Sequence, residues 1–329
     1  MRERFATVAG LLPGLLLCAA IGLAAAIIAE YVGGSALLYA LLIGMALHAI
    51  TNRVGFSPGT QFSARTVLQL GVALLGLRIS ANEILALGMT PLVIALVTIP
   101  ATIVFGLAMA RVLGMTKSEG VLSGGAVAIC GASAAMAIAA VLPERKESEQ
   151  HLIFTIVGVT ALSTLAMLAY PLLVALLPMS GVEAGFFLGG TIHNVPQVVG
   201  AGFMISDVAG DTATFTKLLR VAMLAPAVLI ISITVARGGH ASSGGAGIPG
   251  FLIAFVALVI VNSLGWVPTN VSDPLQSLSR ACLVVAIAAI GIKASFGGLV
   301  KSGWRPALLL TLETLFLAGI VLAGLFLLR

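Results

Sequence analysis

Charge is what this chain has least of. Only 9% of its 329 residues are Asp, Glu, Lys or Arg, against roughly a quarter in an average soluble domain. With 60% hydrophobic residues beside that, a water-soluble core has no polar surface with which to cover itself. Cysteine is scarce too. Cys18, Cys130 and Cys282 stand alone in apolar surroundings with no C-x-x-C spacing, which excludes a cysteine metal site or dithiol redox centre and leaves them as small packing residues. No G-x-x-x-x-G-K-[ST] motif is present to drive the protein with ATP, and no H-E-x-x-H motif to hold a catalytic metal. Aromatic residues make up 6%, and Trp266 and Trp304 lie close to predicted helix ends, where indole anchors at a membrane interface.

What the chain does have is long apolar runs. Eleven hydrophobic segments can be drawn at 8–29, 36–50, 62–80, 89–112, 119–142, 152–178, 184–205, 217–236, 249–266, 279–296 and 306–328, several of them near the ~20 residues that span hydrocarbon. The fold class is therefore all-α: a polytopic, multi-pass membrane protein with one transmembrane domain over residues 1–329. MRERF and the following run read as a retained first helix rather than a cleaved leader, because the run is long and no A-x-A exit follows. The net charge of +5 comes from basic residues at segment ends, the pattern of positive-inside loops and not of a nucleic-acid surface. The expected partners are the lipid bilayer and a small solute, with no nucleic acid.

Two glycine-rich tracts interrupt this apolar pattern, LSGGAVAICGASAAM at 122–136 and FLGGTIHNVPQVVGAG at 187–202. Small and polar residues at membrane depth are costly unless the freed backbone lines a cavity or binds a ligand. Helices broken in this way form the solute sites of secondary transporters, with half-helix amides facing an anion and carbonyls facing a cation. In the first tract the candidate binding residues are Ser123, Gly124, Gly125 and Ser133; in the second they are Gly190, Thr191, His193, Asn194 and Gln197. Pro196 removes a backbone donor and is expected to release an upstream carbonyl. His193 titrates near neutral pH in water and is a candidate for proton coupling. Glu313, the carboxylate well inside an apolar segment, is read either as an ion pair with Lys293 or Lys301 or as a second coupling group. Arg65, Arg78, Arg280 and Lys293 sit near segment ends, where snorkelling is the default and attraction of an anion the alternative.

Residues 57–114 laid ungapped on 272–329 match at twelve of 58 positions, among them Gln61 with Gln276, Arg65 with Arg280, Gly76 with Gly291 and Pro91 with Pro306. The predicted architecture is a pair of inverted repeats, about 1–142 and about 181–329. With eleven crossings and the N-terminus inside, ten basic residues fall inside and seven outside; if both tracts are re-entrant the tally becomes twelve against five, mildly favouring hairpins. Discontinuous crossing helices are the competing arrangement.

At these tracts, SGGAVAICGA from Ser123 and GGTIHNVPQVVGAG from Gly189, the chain resembles the YeiH-like family of sulfate exporters, grouped with the cation:proton antiporter and anion transporter superfamily. The likeness runs along essentially the whole chain, with Asn194 and Pro196 as departures from the usual motif. It implies a panel and a core domain moving past each other, and an inner-membrane secondary transporter exporting a small anion, sulfate or sulfite. It also implies no cofactor, Na+ or H+ as coupling ion, and a homodimer by analogy. A cation/proton antiporter is the runner-up, weakened because neither tract holds an Asp or Glu. An intramembrane enzyme, the alternative from another class, would need a nucleophile with its base, and only Cys130 and His193 offer themselves. The expectation is a protein that is not an enzyme.

Overall fold

The computed structural model describes residues 2–32, 35–51, 56–79, 82, 85, 87–143, 148–236, 250–293 and 304–327. Every regular element among them is helical. In chain order they are α1 (Arg2–Val32), α2 (Ala36–Thr51), α3 (Ser57–Phe62), a π-helical turn (Ser63–Val67), α4 (Leu68–Leu75), α5 (Thr90–Val112), α6 (Lys117–Ala128) and α7 (Ala132–Ala139). Then come α8 (Ser148–Leu176), α9 (Gly181–Thr191), α10 (Val195–Ile205), α11 (Asp207–Ala222), α12 (Leu224–Ala236), α13 (Gly250–Ser263), α14 (Thr269–Lys293) and α15 (Trp304–Leu327). Six stretches are long and apolar enough to cross a bilayer: Gly10–Val32, Thr90–Val112, Gln150–Leu176, Asp207–Thr234, Asn270–Lys293 and Trp304–Leu327. Large apolar side chains such as Leu23, Val104, Leu172 and Leu315 face outward on them, as lipid-facing surfaces require. The chain is an all-α, multi-pass inner-membrane protein.

The helices gather into two compact units, each built from separate stretches of chain. One holds Met1–Gly88, Phe203–Asp211 and Pro249–Ala294; the other holds Met89–Gly202, Thr212–Ile248 and Ser295–Arg329. In the first unit, two helix pairs meet through glycines. A Cβ on Gly44 would strike the α14 backbone at Ala288 and Gly291, and one on Gly291 would strike α2 at Leu41 and Gly44; Gly14 and Gly59 oppose each other in the same way. Helices in lipid gain little from apolar burial, so close backbone approach of this kind is what joins them.

This unit also holds an ionic cluster. Arg78 Nη2 and Nε reach Asp207 and Asp211, each at 2.9 Å, and Arg280 Nη2 reaches Asp207 at 3.1 Å. The Arg78 guanidinium also lies over the Phe203 ring, 5.6 Å from its centroid. Arg78 and Arg280, expected to snorkel or draw an anion, are instead paired with carboxylates on the corner between α10 and α11. Ser80, Lys301, Arg53, Arg145, Lys146 and the 237–247 connection lie outside the described residues.

Candidate functional site

Both glycine-rich tracts are broken helices within the second unit. Each begins with the same local code. Thr116 Oγ1 accepts from the Glu119 amide while Glu119 Oε2 accepts from the Thr116 amide at 2.6 Å; Ser180 and Glu183 repeat the exchange, with the return bond at 2.7 Å. These are capping boxes, which satisfy two of the orphan donors that open a helix. α6 then runs to Ala128 and α9 to Thr191, where the helices stop. Ile129 leaves helical geometry at φ −111°, ψ −84°, and Gly131 follows at φ +65°, a conformation that residues with a side chain rarely adopt. In the second tract Ile192 turns extended, at φ −70°, ψ 133°.

The two breaks touch. A Cβ on Gly131 would run into Asn194 Oδ1, so the residue preceding α7 packs on the residue preceding α10. Ala135 and Val198 are the first amides to bond back to Gly131 and Asn194. The amides of Ala132, Ser133, Ala134, Val195 and Gln197 therefore have no intrahelical partner, and the positive ends of both half-helices converge on one place. At this place Ser133 is exposed and Asn194 half-buried. Pro196 falls in the first turn of α10, where its missing donor would be unpaired in any case. It starts a helix instead of releasing a carbonyl from one.

The opposite, carbonyl ends of α6 and α9 are occupied by two basic side chains that hydropathy alone does not single out. Lys217 Nζ, on α11, donates to Ile129 O at 2.7 Å and Ile192 O at 2.8 Å. One turn on, Arg220 donates to Gly190 O through Nη1 and to Ala128 O through Nη2, and Nη1 also reaches Thr98 Oγ1 at 3.2 Å. Both side chains are fully buried. A cation at a helix C-terminus answers the negative end of the dipole and the last unsatisfied carbonyls together. Lys217 and Arg220 stand three residues apart on one helix face, flanked by the buried hydroxyls of Thr214 and Thr216. That polar stripe in an otherwise apolar stretch is the signal in the sequence that points to them.

The remaining candidates divide by role. Gly124 lies against the backbone of Thr102 and Ile103 on α5, and Gly125 against Ile138 Cδ1 on α7, so their missing side chains serve helix packing. Thr191 bonds back to Phe187 O at 2.6 Å within α9, and Gly190 gives its carbonyl to Arg220. His193 is wholly buried, with Nε2 2.9 Å from Thr314 Oγ1. Thr314 Oγ1 also lies 2.7 Å from Leu310 O, so the hydroxyl sits between the imidazole and the α15 backbone. Gln197 is 3% exposed, with Oε1 lacking a hydrogen-bond partner among the described residues. Asn194 N donates to Ser163 Oγ at 3.1 Å, which pins the second break to α8. Ser123 Oγ donates to Glu313 Oε1 at 2.7 Å. The described partner of Glu313 is thus a hydroxyl; of the two basic residues weighed as partners, Lys301 lies outside the described residues. Cys130 is buried among the helix ends, and the partner of His193 is a hydroxyl and not this thiol. Among the described residues no group of three or more His, Cys, Asp and Glu is placed to hold a metal ion.

The profile of a family described as conserved hypothetical protein 698 matches residues 13–310. The chain is 48% identical to the UPF0324 membrane protein TauZ of Paracoccus pantotrophus, over 96% of this chain and 95% of that protein. It is 46% identical to a UPF0324 membrane protein of Chlorobaculum tepidum (95% and 88% covered) and 46% identical to one of Rhizobium meliloti (95% and 92%). No solved structure shows a significant match.

Proposed function

Since the chain belongs to the conserved hypothetical protein 698 family, whose curated members are UPF0324 membrane proteins, we propose that it is a secondary transporter exporting a small oxyanion, sulfate or sulfite, across the inner membrane. One observation carries the reading. Of the four half-helix ends at the two breaks, the carbonyl ends are filled by Lys217 and Arg220, and the first-turn amides of α7 and α10 are left without an intrahelical partner beside the exposed Ser133. A cation would need carbonyls or carboxylates there, and the carbonyls are occupied while neither tract supplies an acid. An anion finds backbone donors, two helix dipoles and a net positive background. The cation/proton antiporter reading loses support on the same ground.

In this account the anion rests on the amides of Ala132, Ser133 and Gln197, with the Ser133 hydroxyl and the Asn194 and Gln197 side chains beside them. No step of covalent chemistry is needed, and the protein works as a carrier rather than an enzyme. Coupling runs through H+ or Na+. A repeated architecture also gains support. α5 and α15 occupy registers displaced by 215 residues, which pairs Thr98 with Glu313; Thr98 reaches both tracts through Arg220, at Gly190 and Ala128, and Glu313 reaches the first through Ser123.

The experiment is flux of radiolabelled sulfate and sulfite in proteoliposomes under imposed proton or sodium gradients. Wild-type protein moves at least one of the anions, and Asn194→Ala and Gln197→Ala sharply reduce the movement while folding normally. Wild-type flux in both variants would reject the assigned site.

A further inference from the structure

Glu313 is the buried acid that the anion site does not use. It lies on α15 in a notch opened by Gly106, where a Cβ would collide with Glu313 Oε1. Its oxygens are out of reach of water. Oε1 takes the Ser123 hydroxyl at 2.7 Å, and Oε2 has no hydrogen-bond partner among the described residues. Among the described residues, the elements packed on α15 bring no cation within reach of it. α5 presents Gly106, with Arg111 more than a turn further on; α6 presents Ser123, with Glu119 one turn before it and the exposed Lys117 at its first position; α8 carries His151; α9 carries Glu183 in its first turn, engaged in the capping box. His193 is bonded to the neighbouring Thr314, and Arg305 stands two turns away on α15 itself. A buried carboxylate without a cation is disfavoured against the neutral acid.

A route leads to it. A small cleft is lined by Met115, Glu119, Ser123, His151, Thr155 and Leu309. His151 Nε2 and Glu119 Oε1 pair across it at 2.8 Å, with side chains 27% and 11% exposed. Exposure then falls to 4% at Ser123 and to nothing at Glu313. The polar groups thus form a graded series from solvent inward, ending at the acid.

We propose that Glu313 is a proton-binding site, loaded from the aqueous cleft at Glu119 and His151 through the Ser123 hydroxyl. The proposal deepens the transport reading by naming the coupling ion and its path. A proton arriving from cleft water at Ser123 Oγ releases the hydroxyl's own proton along the 2.7 Å contact to Glu313 Oε1, so that only O–H bonds are made and broken. The neutral acid then donates back to Oγ, and the Ser123 hydroxyl turns to the Gly120 carbonyl, 3.5 Å away. The same contact serves both protonation states with the donor direction reversed, as a loading site requires.

The test is infrared difference spectroscopy of the full-length protein in phosphatidylcholine–phosphatidylglycerol vesicles as pH is stepped. Wild-type protein shows a protonated-carboxyl carbonyl band that disappears as pH rises; Glu313→Gln lacks it, and Glu313→Asp shifts it. Ser123→Ala keeps the band but answers a pH jump at least tenfold more slowly. A band that survives in Glu313→Gln or does not move in Glu313→Asp, a wild-type protein without a titrating band, or a Ser123→Ala response at the wild-type rate would overturn the proposal. Because the signal reports protonation and not flux, absence of anion movement in wild-type vesicles would remove the transport reading and leave this one standing.

Discussion

Lys217 and Arg220 hold the helix ends that the breaks create. Each removes buried carbonyls from the unsatisfied state, and losing a partner for such a group costs about 1–3 kcal/mol, more where the donor is charged. Lys217→Ala leaves two carbonyls without their donor, so we expect a loss of about 2–5 kcal/mol by that reckoning, seen as a lower unfolding temperature in detergent. Gly131 makes a second prediction at this scale. Its φ of +65° and the contact with Asn194 both exclude a side chain, so Gly131→Ala should destabilise by roughly 1–3 kcal/mol. Gly319→Ala, on a helix face where an added Cβ meets nothing within 4 Å, should be neutral or slightly stabilising. Equal unfolding temperatures for the two glycine variants would contradict this account of the first break.

At the scale of elements, the first tract folds back on itself. Residues 125 and 138 would stand about 20 Å apart along a continuous helix, yet Ile138 Cδ1 occupies the position of a Cβ on Gly125. α6 and α7 are therefore the arms of a hairpin. Gly125→Ala should open it and lower both stability and flux. Ile138→Ala in the same chain should recover much of the loss, giving a coupling energy on the order of 1 kcal/mol or more in a double-mutant cycle; strict additivity would show that the arms are not packed together here.

The breaks are legible in the sequence because glycine, histidine, asparagine and glutamine inside an apolar run are tolerated only where a helix is interrupted or its polar groups find partners. The basic residues that hold the breaks leave a polar stripe in the sequence, but hydropathy hides it for a local reason. Asp207, Gly210, Asp211 and Thr212 read as a polar connection, so a segment drawn on hydropathy starts at Lys217 and leaves the two basic residues as interfacial charges. In the structure α11 starts at Asp207, Lys217 lies in mid-helix, and the polar face is buried against carbonyls supplied from far along the chain. Glu313 stands out in the sequence but its partner does not, since Ser123 is 190 residues distant. Pro196 has opposite effects depending on whether a helix continues through it or begins at it, and only the backbone tells which.

At the scale of the molecule, the second unit contains everything the proposed function uses: both breaks, both basic side chains, Glu313 and the proton cleft. The first unit is joined by glycine crossings and by the Arg78, Arg280, Asp207 and Asp211 cluster. Its stretch Phe203–Asp211 continues directly into chain belonging to the second unit at both ends. Asp207→Asn removes from this cluster a carboxylate shared by two arginines. Flux should change while anion affinity at the breaks does not, checked by comparing transport rate with equilibrium sulfate binding. A parallel fall in affinity would mean that the cluster belongs to the binding site.

The claim on which the rest depends is that the amide ends of α7 and α10 hold the anion. The direct measurement is a structure of the protein with selenate, the heavier analogue of sulfate, located by its anomalous signal. The account places the selenium within hydrogen-bonding range of the Ser133 and Gln197 amides, beside Asn194. Selenate seated instead on Lys217 or Arg220, or absent from the breaks at saturating concentration, would contradict it.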